Sequence, residues 1–400
     1  MDPVDDVLRE WGASGLAHLT GLPSGNPDFS RAGVLTAARS TAGQLRRHLG
    51  IAVDAVELLA GRAALLGLSR RGRISAGGAT RLFAAADRWC ALTLSRPDDV
   101  DAVPALVESV AQPDDPWPAV EAWAAARMAG DVVERARLLG LPAAVLGEAV
   151  AAAPVVRRAG TFAAPRDLSA LLVVDLSSMW AGPLCGQLLR RAGATVVKVE
   201  STARPDGTRA GSPAFFDWMN GGKLCYAAQF NDTARLRTLI EAADVVIESS
   251  RPSALHHRGL GADDVAGLDG RVWVRITGHG ADGERANHTA FGDDAAVAGG
   301  LVGRSPEGPV FCGDAIGDPL SGMHAALAAA ESLARGGGEV LDVSMAAVTA
   351  TYAALPEHPD DGGCPATVPV APPRQLPAAG LGADNAAVER LIDERKPTPC

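Results

Sequence analysis

From residue 168 onward, short apolar segments alternate with helix-forming segments, and this alternation restricts the fold more than any other feature. Residues 171–176 are apolar apart from Asp175, as expected for a strand that is buried on both faces. Further strands are predicted at residues 195–199, 224–229, 245–247, 272–276, 310–311 and 339–343, with helices at 183–192, 233–242 and 320–334. This order predicts an α/β fold with a doubly wound, mainly parallel, Rossmann-like sheet in the C-terminal half.

The N-terminal part of the chain has a different pattern. Apolar residues at helical spacing predict a helical region over residues 1–69. A glycine loop, a strand at 89–94 and two amphipathic helices then predict a smaller mixed α+β domain over residues 70–160. Residues 168–350 form the predicted large-domain core, and residues 351–400 a Pro/Gly-rich segment with one helix.

Composition excludes several classes of function. A net charge of −10 without a basic stripe argues against a nucleic-acid partner. The six cysteines form no CxxC pair and no histidine pair has zinc-ligand spacing, so free thiols and no metal site are expected. The most apolar stretch, residues 141–156, is interrupted by Glu148 and two prolines, so no membrane span is expected. The first residues have no basic and apolar leader pattern, which favours a cytoplasmic location.

A doubly wound sheet binds ligands beyond the carboxyl ends of its strands. Five such ends are rich in small and polar residues: 177–182, 200–202, 249–251, 277–280 and 313–318. The first turn has no GxGxxG sequence and the chain has no Walker sequence, so a dinucleotide site is disfavoured. We therefore expect a ligand site at this edge without the usual nucleotide signature.

Asp318 lies in the last of these strand ends, between Gly317 and Pro319, where a turn becomes a helix. One interpretation is a helix cap, because Asp at the N-cap followed by Pro is a common start of a helix. The other is a catalytic carboxylate. The motif alone favours the cap.

Several short motifs in order resemble the class III CoA-transferases, a family that includes formyl-CoA and carnitine CoA-transferases and α-methylacyl-CoA racemases. They are VDLSSMWAGPLC at 174–185, GATVVKVE at 193–200, DGTR at 206–209, NGGK at 220–223, ADVVIE at 243–248 with Arg251-Pro252, and GDPLSGMH at 317–324. The resemblance covers about residues 168–350. It implies an enzyme that moves CoA from an acyl-CoA to a carboxylic acid, with coenzyme A as substrate and no permanently bound cofactor.

The resemblance also implies roles for individual residues. Asp318 corresponds to the family's nucleophile, which forms an anhydride with the acyl group and then a thioester with CoA. The residues expected to hold CoA are Arg209, Asn220, Lys223, Arg251 and, in place of a family arginine, Arg258 beside His257. Arginine and lysine suit the diphosphate and 3′-phosphate of CoA, although ordinary surface charge is the alternative for each.

The glycine loop of the smaller domain also resembles a family motif. Gly77 and Gly78 are the candidates for donating backbone N–H groups to the oxyanions that form during transfer. A plain turn is the alternative. Small-domain motifs before the large domain imply a rearranged domain order, and the family usually forms an interlocked homodimer.

Two alternatives to a transferase remain. A racemase or isomerase of acyl-CoA is disfavoured because the segment AFGDD at 290–294 has no histidine where racemases keep their base. His324 is expected to support packing instead. A catalytically silent homologue that binds CoA, or serves as a partner subunit, is the other alternative, because the CoA-contact positions and the domain order both depart from the family.

Overall fold

A computed structural model describes residues 3–110, 114–358 and 363–395 of the protein. Its helices are α1 (Pro3–Ala13), α2 (Leu16–Leu19), α3 (Gly33–Leu49), α4 (Ala55–Leu66), α5 (Pro97–Asp101), α6 (Val103–Leu106), α7 (Trp117–Ala125), α8 (Ala129–Leu138), α9 (Ala181–Arg191), α10 (Pro213–Asn220), α11 (Thr233–Glu241), α12 (Pro252–His256), α13 (Gly292–Gly299), α14 (Gly317–Ala334), α15 (Met345–Ala353) and α16 (Asn385–Arg395). Its strands are β1 (Thr80–Ala84), β2 (Trp89–Thr93), β3 (Ala143–Val145), β4 (Val155–Arg158), β5 (Leu172–Asp175), β6 (Thr195–Ser201), β7 (Leu224–Ala228), β8 (Val245–Glu248), β9 (Val272–Thr277), β10 (Val302–Ser305), β11 (Gly308–Phe311) and β12 (Glu339–Ser344).

Seven strands form the main sheet, in the order β4-β12-β9-β8-β5-β6-β7. All neighbouring pairs are parallel except β4, which runs antiparallel to β12. Alternate residues of β5 face opposite layers: Val173 packs in one apolar cluster, and Leu172 and Val174 pack in another. Two covered faces explain why the strand is apolar throughout. The predicted doubly wound, mainly parallel α/β sheet is confirmed.

The N-terminal helices share the core of this large sheet. Trp11, Leu35 and Leu45 are fully buried and belong to the same apolar cluster as residues of α9 and α14. The most extensive of these contacts joins α3 to α14. The helices predicted in residues 1–69 are therefore present, and they form a layer against the large domain.

A second, three-stranded antiparallel sheet has the order β1-β2-β3 and packs with α6 to α8 in one apolar cluster. It matches the smaller mixed α+β domain predicted for residues 70–160 up to β3. The last strand of that segment, β4 at residues 155–158, pairs with the main sheet instead.

One strand prediction is wrong. Residues 310–311 were expected to form a strand of the parallel sheet, but they belong to β11, which forms a separate hairpin with β10. Pro309 and Gly308 precede them in a tight connection, which suits a hairpin better than a central strand. The helix predicted at residues 385–393 is confirmed as α16, whose Asn385 and Glu389 bond to β7.

The five cysteines in the described ranges are unpaired, while Cys400 lies outside those ranges. Within the described ranges, the search for a helix long and apolar enough to cross a bilayer finds none.

Candidate active site

Asp318 is the second residue of α14, two residues after the position of the cap. The N-cap position is Ile316, and no side chain caps this helix. Asp318 Oδ2 instead accepts a hydrogen bond of 3.0 Å from the backbone N–H of Gly292, at the start of α13. The interpretation of Asp318 as a helix cap is therefore wrong, because its carboxylate points away from its own helix.

Glycine is required where α13 and α14 start side by side. A Cβ on Gly292 would overlap both Asp318 Oδ2 and the carbonyl oxygen of Ala315. Gly317 is equally restricted, because a Cβ there would lie 2.5 Å from the carbonyl oxygen of Gly292. The crossing of two glycine backbones brings the Gly292 N–H onto the Asp318 carboxylate.

Three further carboxylates lie close to the starts of α13 and α14. Asp314 and Asp294 are fully buried, and one oxygen of each has no hydrogen-bond partner. Asp293 Oδ1 accepts a bond of 3.0 Å from Ala315 N, in the turn before α14. Asp294 Oδ1 accepts bonds from Thr93 Oγ1 and from Phe291 N. We call Asp293, Asp294, Asp314 and Asp318 the carboxylate cluster.

Burial controls the ionisation of this cluster. Desolvation raises the pKa of Asp318 to about 7, and the negative charges of Asp293 and Asp314 act in the same direction. It also raises the pKa of Asp293 to about 6 and that of Asp294 to about 7. A helix N-terminus by itself favours the charged form of a carboxylate. Desolvation is instead the largest influence here, so Asp318 titrates near neutral pH.

Asp318 is only partly buried because one side of it faces a cavity of about 460 Å³. Four of the five predicted strand ends contribute to the cavity wall. The residues from these ends are Ser178, Met179, Ala181, Gly182, Ser249, Ser250, Arg251, Thr277, Gly278 and Asp318. The cavity therefore lies at the edge of the sheet where the sequence predicted a ligand site.

The cavity wall also carries positive charge. Arg251, which the sequence predicted as a CoA contact, lines it and is exposed. Arg204, after β6, and Arg96, before α5, line it too. Arg96 also pairs with Asp99 at 2.6 Å. Sequence reasoning missed Arg96 and Arg204, because it placed the first only in a turn and no motif marked the second.

Lys223 and Asn220 are in the wrong place for binding CoA. Lys223 is 3% exposed and Asn220 is fully buried. Lys223 Nζ donates to Asp175 Oδ2 at 2.9 Å, to Pro183 O at 2.8 Å and to Asn220 Oδ1 at 3.1 Å. An ammonium has three N–H donors, so none is left for a phosphate. Both predictions are corrected: these residues hold β5, β7 and α9 together.

Two predicted arginines lie outside the cavity wall. Arg209 makes a bidentate pair with Glu200, with Nη2 to Oε2 at 2.6 Å, and its guanidinium lies 4.3 Å from the ring centre of Phe216. Arg258 is exposed and donates to the carbonyl oxygen of Ala254. Contact of either side chain with CoA stays a prediction, and Arg209 already has its carboxylate partner.

The glycine loop lies beside the carboxylate cluster without lining the cavity. Gly78 has a φ of +86°, and its N–H donates to Ser75 O. Just beyond the loop, Thr80 Oγ1 donates to Asp293 Oδ2 at 3.4 Å. The structure thus brings the loop and Asp293 together, while the role of the loop in catalysis stays a prediction.

Histidines near the site are neutral. His324 lies on α14, where its Nε2 bonds to the hydroxyl of Tyr352 at 3.0 Å, and burial lowers its pKa to about 4. His288 lines the cavity, and burial lowers its pKa as well. No group of three or more His, Cys, Asp or Glu side chains within residues 3–110, 114–358 and 363–395 could hold a metal ion.

Comparison with known proteins places this site in a family. The profile of "CoA-transferase family III" matches residues 168–368. The chain is 30% identical over 199 residues to succinyl-CoA–D-citramalate CoA-transferase of Chloroflexus aurantiacus, covering 45% of this chain and 50% of that protein. It is 30% identical over 213 residues to succinate–glutarate CoA-transferase of Agrobacterium fabrum, covering 47% and 52%. The chain thus spans about half the length of these relatives.

A solved structure gives a similar coverage. A CAIB/BAIF family protein from Brucella suis is 30% identical in the aligned part, with a TM-score of 0.44, covering 48% of this chain and 56% of that one.

Proposed function

Because the chain belongs to CoA-transferase family III, we propose that it transfers CoA from an acyl-CoA thioester to a carboxylic acid, with Asp318 as the covalent nucleophile. One observation carries the assignment of the nucleophile. Asp318 is the carboxylate of the cluster that faces the cavity, and it is held there by the Gly292 N–H. Its raised pKa makes the ionised form more basic than an ordinary aspartate and so a better nucleophile.

The proposed reaction has four steps, and its atoms balance. An Asp318 oxygen attacks the thioester carbonyl, and the CoA thiolate leaves, which forms a mixed anhydride. The thiolate attacks the aspartyl carbonyl, which releases the donor acid and leaves an aspartyl-CoA thioester. The acceptor carboxylate attacks this thioester and expels the thiolate, giving a second anhydride. Attack of the thiolate on the acceptor's acyl carbon then releases acceptor-CoA and regenerates Asp318.

The cavity wall supplies suitable partners for this chemistry. The Gly292 N–H already lies on an Asp318 oxygen, so it can stabilise the oxyanion that forms when the aspartyl carbonyl is attacked. Arg251, Arg204 and Arg96 are suited to bind the phosphates of CoA. The relatives named as succinyl-CoA–D-citramalate and succinate–glutarate transferases support short carboxylic acids as substrates. We also propose that the protein is a homodimer and is located in the cytoplasm.

One cavity residue favours a second candidate function. His288 is neutral and lines the cavity, so it could take a proton from the carbon next to the thioester. The same cavity would then support racemisation of an acyl-CoA.

Trapping separates these functions. The protein is incubated with an acyl-CoA, treated with hydroxylamine or borohydride, digested and mapped, with D318N as the matched control. Modification of the peptide that contains Asp318 in the wild type alone supports transfer. CoA binding without modification contradicts it and indicates a silent homologue. Exchange of the α-proton in D₂O that is lost in H288Q supports the racemase.

A further inference from the structure

Arg62 reaches the carboxylate cluster from outside the segment that the family profile matches. It lies near the end of α4, more than one hundred residues before the match begins at residue 168. Its Nη1 donates to Asp314 Oδ1 at 2.6 Å. Asp314 is 1% exposed while Arg62 is 23% exposed, so the arginine enters from the solvent side to meet a fully buried acid.

The Arg62 guanidinium is held by more than this ion pair. Its Cζ lies 5.4 Å from the ring centre of Trp180 and 5.5 Å from that of Phe215, two rings packed edge to face. Both rings are at least 95% buried, which favours a strong cation–π contact. Arg62 Nη2 also lies 3.6 Å from the place where a Cβ on Gly77 would be. The guanidinium thus lies between the glycine loop, two aromatic rings and Asp314.

The positive charge of Arg62 affects the ionisation of the acids near it. The positive charge of Arg62 lowers the pKa values of Asp293, Asp314 and Asp318, against the desolvation that raises all three. Asp293 on α13 and Asp314 before α14 are the acids facing Asp318. The ionisable groups on the cavity side are Arg96, Arg204, Arg251 and His288. Arg62 is therefore the cation on the protein side of Asp318.

We propose that Arg62 is a positioning residue, which fixes Asp314 and the glycine loop around Asp318 and keeps Asp318 ionised for attack. Its catalytic meaning rests on the proposed function. Its electrostatic effect on Asp318 does not, because that effect exists in the protein whether or not transfer occurs. The N-terminal helices thus supply a functional part of a site whose nucleophile lies in the family-matched segment.

Variants of the pair make the proposal testable. Replacing Arg62 alone leaves Asp314 buried without its partner, which strongly destabilises the fold. D314N removes one acid and keeps the cation, so the pKa of Asp318 should fall. R62M/D314N removes both charges, and because Arg62 lowers the pKa of Asp318 more than Asp314 raises it, this pKa should rise above the wild-type value by about one pH unit. R62K/D314N keeps a charge at the same position and should return the pKa toward that of D314N.

The measurement is a ¹³C NMR titration of carboxyl groups in full-length protein labelled at aspartate, with D318N assigning the signal. Relative to the wild type, the pKa of Asp318 is expected to fall in D314N and to rise in R62M/D314N. Equal pKa values of Asp318 in the wild type and both variants, with all three folded, would overturn the proposal. A rise of one unit in the pKa of Asp318 lowers the ionised fraction of its carboxyl group, and with it the transfer rate, about tenfold at pH 6.

The two proposals fail separately in this design. If the titration moves as expected but D318N still transfers CoA, the nucleophile assignment is wrong and the electrostatic role of Arg62 stands. If Asp318 is trapped covalently but its pKa is the same with and without Arg62, only the positioning role is wrong. A purely structural Arg62 would change the unfolding midpoint and leave both the NMR titration and the pH dependence of transfer unchanged.

Discussion

Two groups of buried charges at the carboxyl edge of the main sheet behave in opposite ways. We call Asp175, Lys198, Asp206 and Lys223 the paired cluster. It joins two acids to two lysines, at 2.9 Å for Lys223 with Asp175 and 2.7 Å for Lys198 with Asp206. In the carboxylate cluster one cation, Arg62, acts on three of the four acids, Asp293, Asp314 and Asp318.

The pKa values follow this difference in charge balance. Burial acts to raise the pKa of Asp175, but Lys223 and Lys198 hold it below its usual value. Lys198 holds the pKa of Asp206 below its usual value in the same way. Burial raises the pKa of Asp318 to about 7 because a single arginine faces several acids. The balance of neighbouring charges thus holds the structural acids of the paired cluster in their charged form, whereas Asp318 titrates near neutral pH.

The largest expected effect is on activity, from D318N in the carboxylate cluster. Transfer should fall by about a thousandfold or more, because the amide cannot form the anhydride. Stability near neutral pH should change little, since Asn keeps an oxygen for the Gly292 N–H. Steady-state CoA transfer and urea unfolding at the same pH check both parts. CoA transfer by a folded D318N protein would contradict the proposal that the carboxylate cluster, unlike the paired cluster, contains the nucleophile.

K223M should have the largest effect on stability. It leaves Asp175 charged and fully buried without its nearest partner, which costs about 3–5 kcal/mol of unfolding free energy. R157M is the control, because Arg157 makes an exposed pair with Asp263 and should cost less than about 1 kcal/mol. Urea unfolding of both variants measures the difference. Equal losses would mean that the paired cluster contributes no more than a surface pair.

These residues also indicate how far sequence could lead. The strand pattern predicted the sheet and the edge at which the cavity lies, because periodicity and local motifs depend on short segments of sequence. The partner of Lys223 is 48 residues away, and that of Arg62 is 252 residues away. No local pattern marks such pairs. Sequence reasoning therefore assigned Lys223 to CoA and did not single out Arg62.

D294N tests the unbalanced charge through pH. The folded pKa of Asp294 is about 7, well above that of an unfolded aspartate, so the folded state keeps a proton that the unfolded state has lost. Its contribution to stability is full below about pH 4 and is lost as pH rises to about 7. D294N should therefore be more stable than wild type by up to about 4 kcal/mol at pH 8, and no more stable at pH 4. Thermal unfolding at both pH values measures this. A variant less stable at pH 8 would contradict the raised pKa.

The smallest expected effect comes from the cavity wall. R251Q should raise KM for acyl-CoA about tenfold with little change in kcat, because Arg251 is proposed to bind CoA phosphate in every state. R157Q is the matched control, since Arg157 is also exposed, does not line the cavity and is not a predicted CoA contact. Equal effects of the two variants on KM would show that the cavity charge is not selective.

The most direct test of the central claim follows one oxygen atom. In the proposed reaction, the acceptor acid leaves one of its carboxylate oxygens on Asp318 at each turnover. A single turnover of the acyl-CoA-loaded protein with acceptor labelled with oxygen-18 should place one heavy oxygen in the peptide that contains Asp318, as read by mass spectrometry. Formation of acceptor-CoA with an unlabelled Asp318 peptide would contradict the covalent role of this carboxylate.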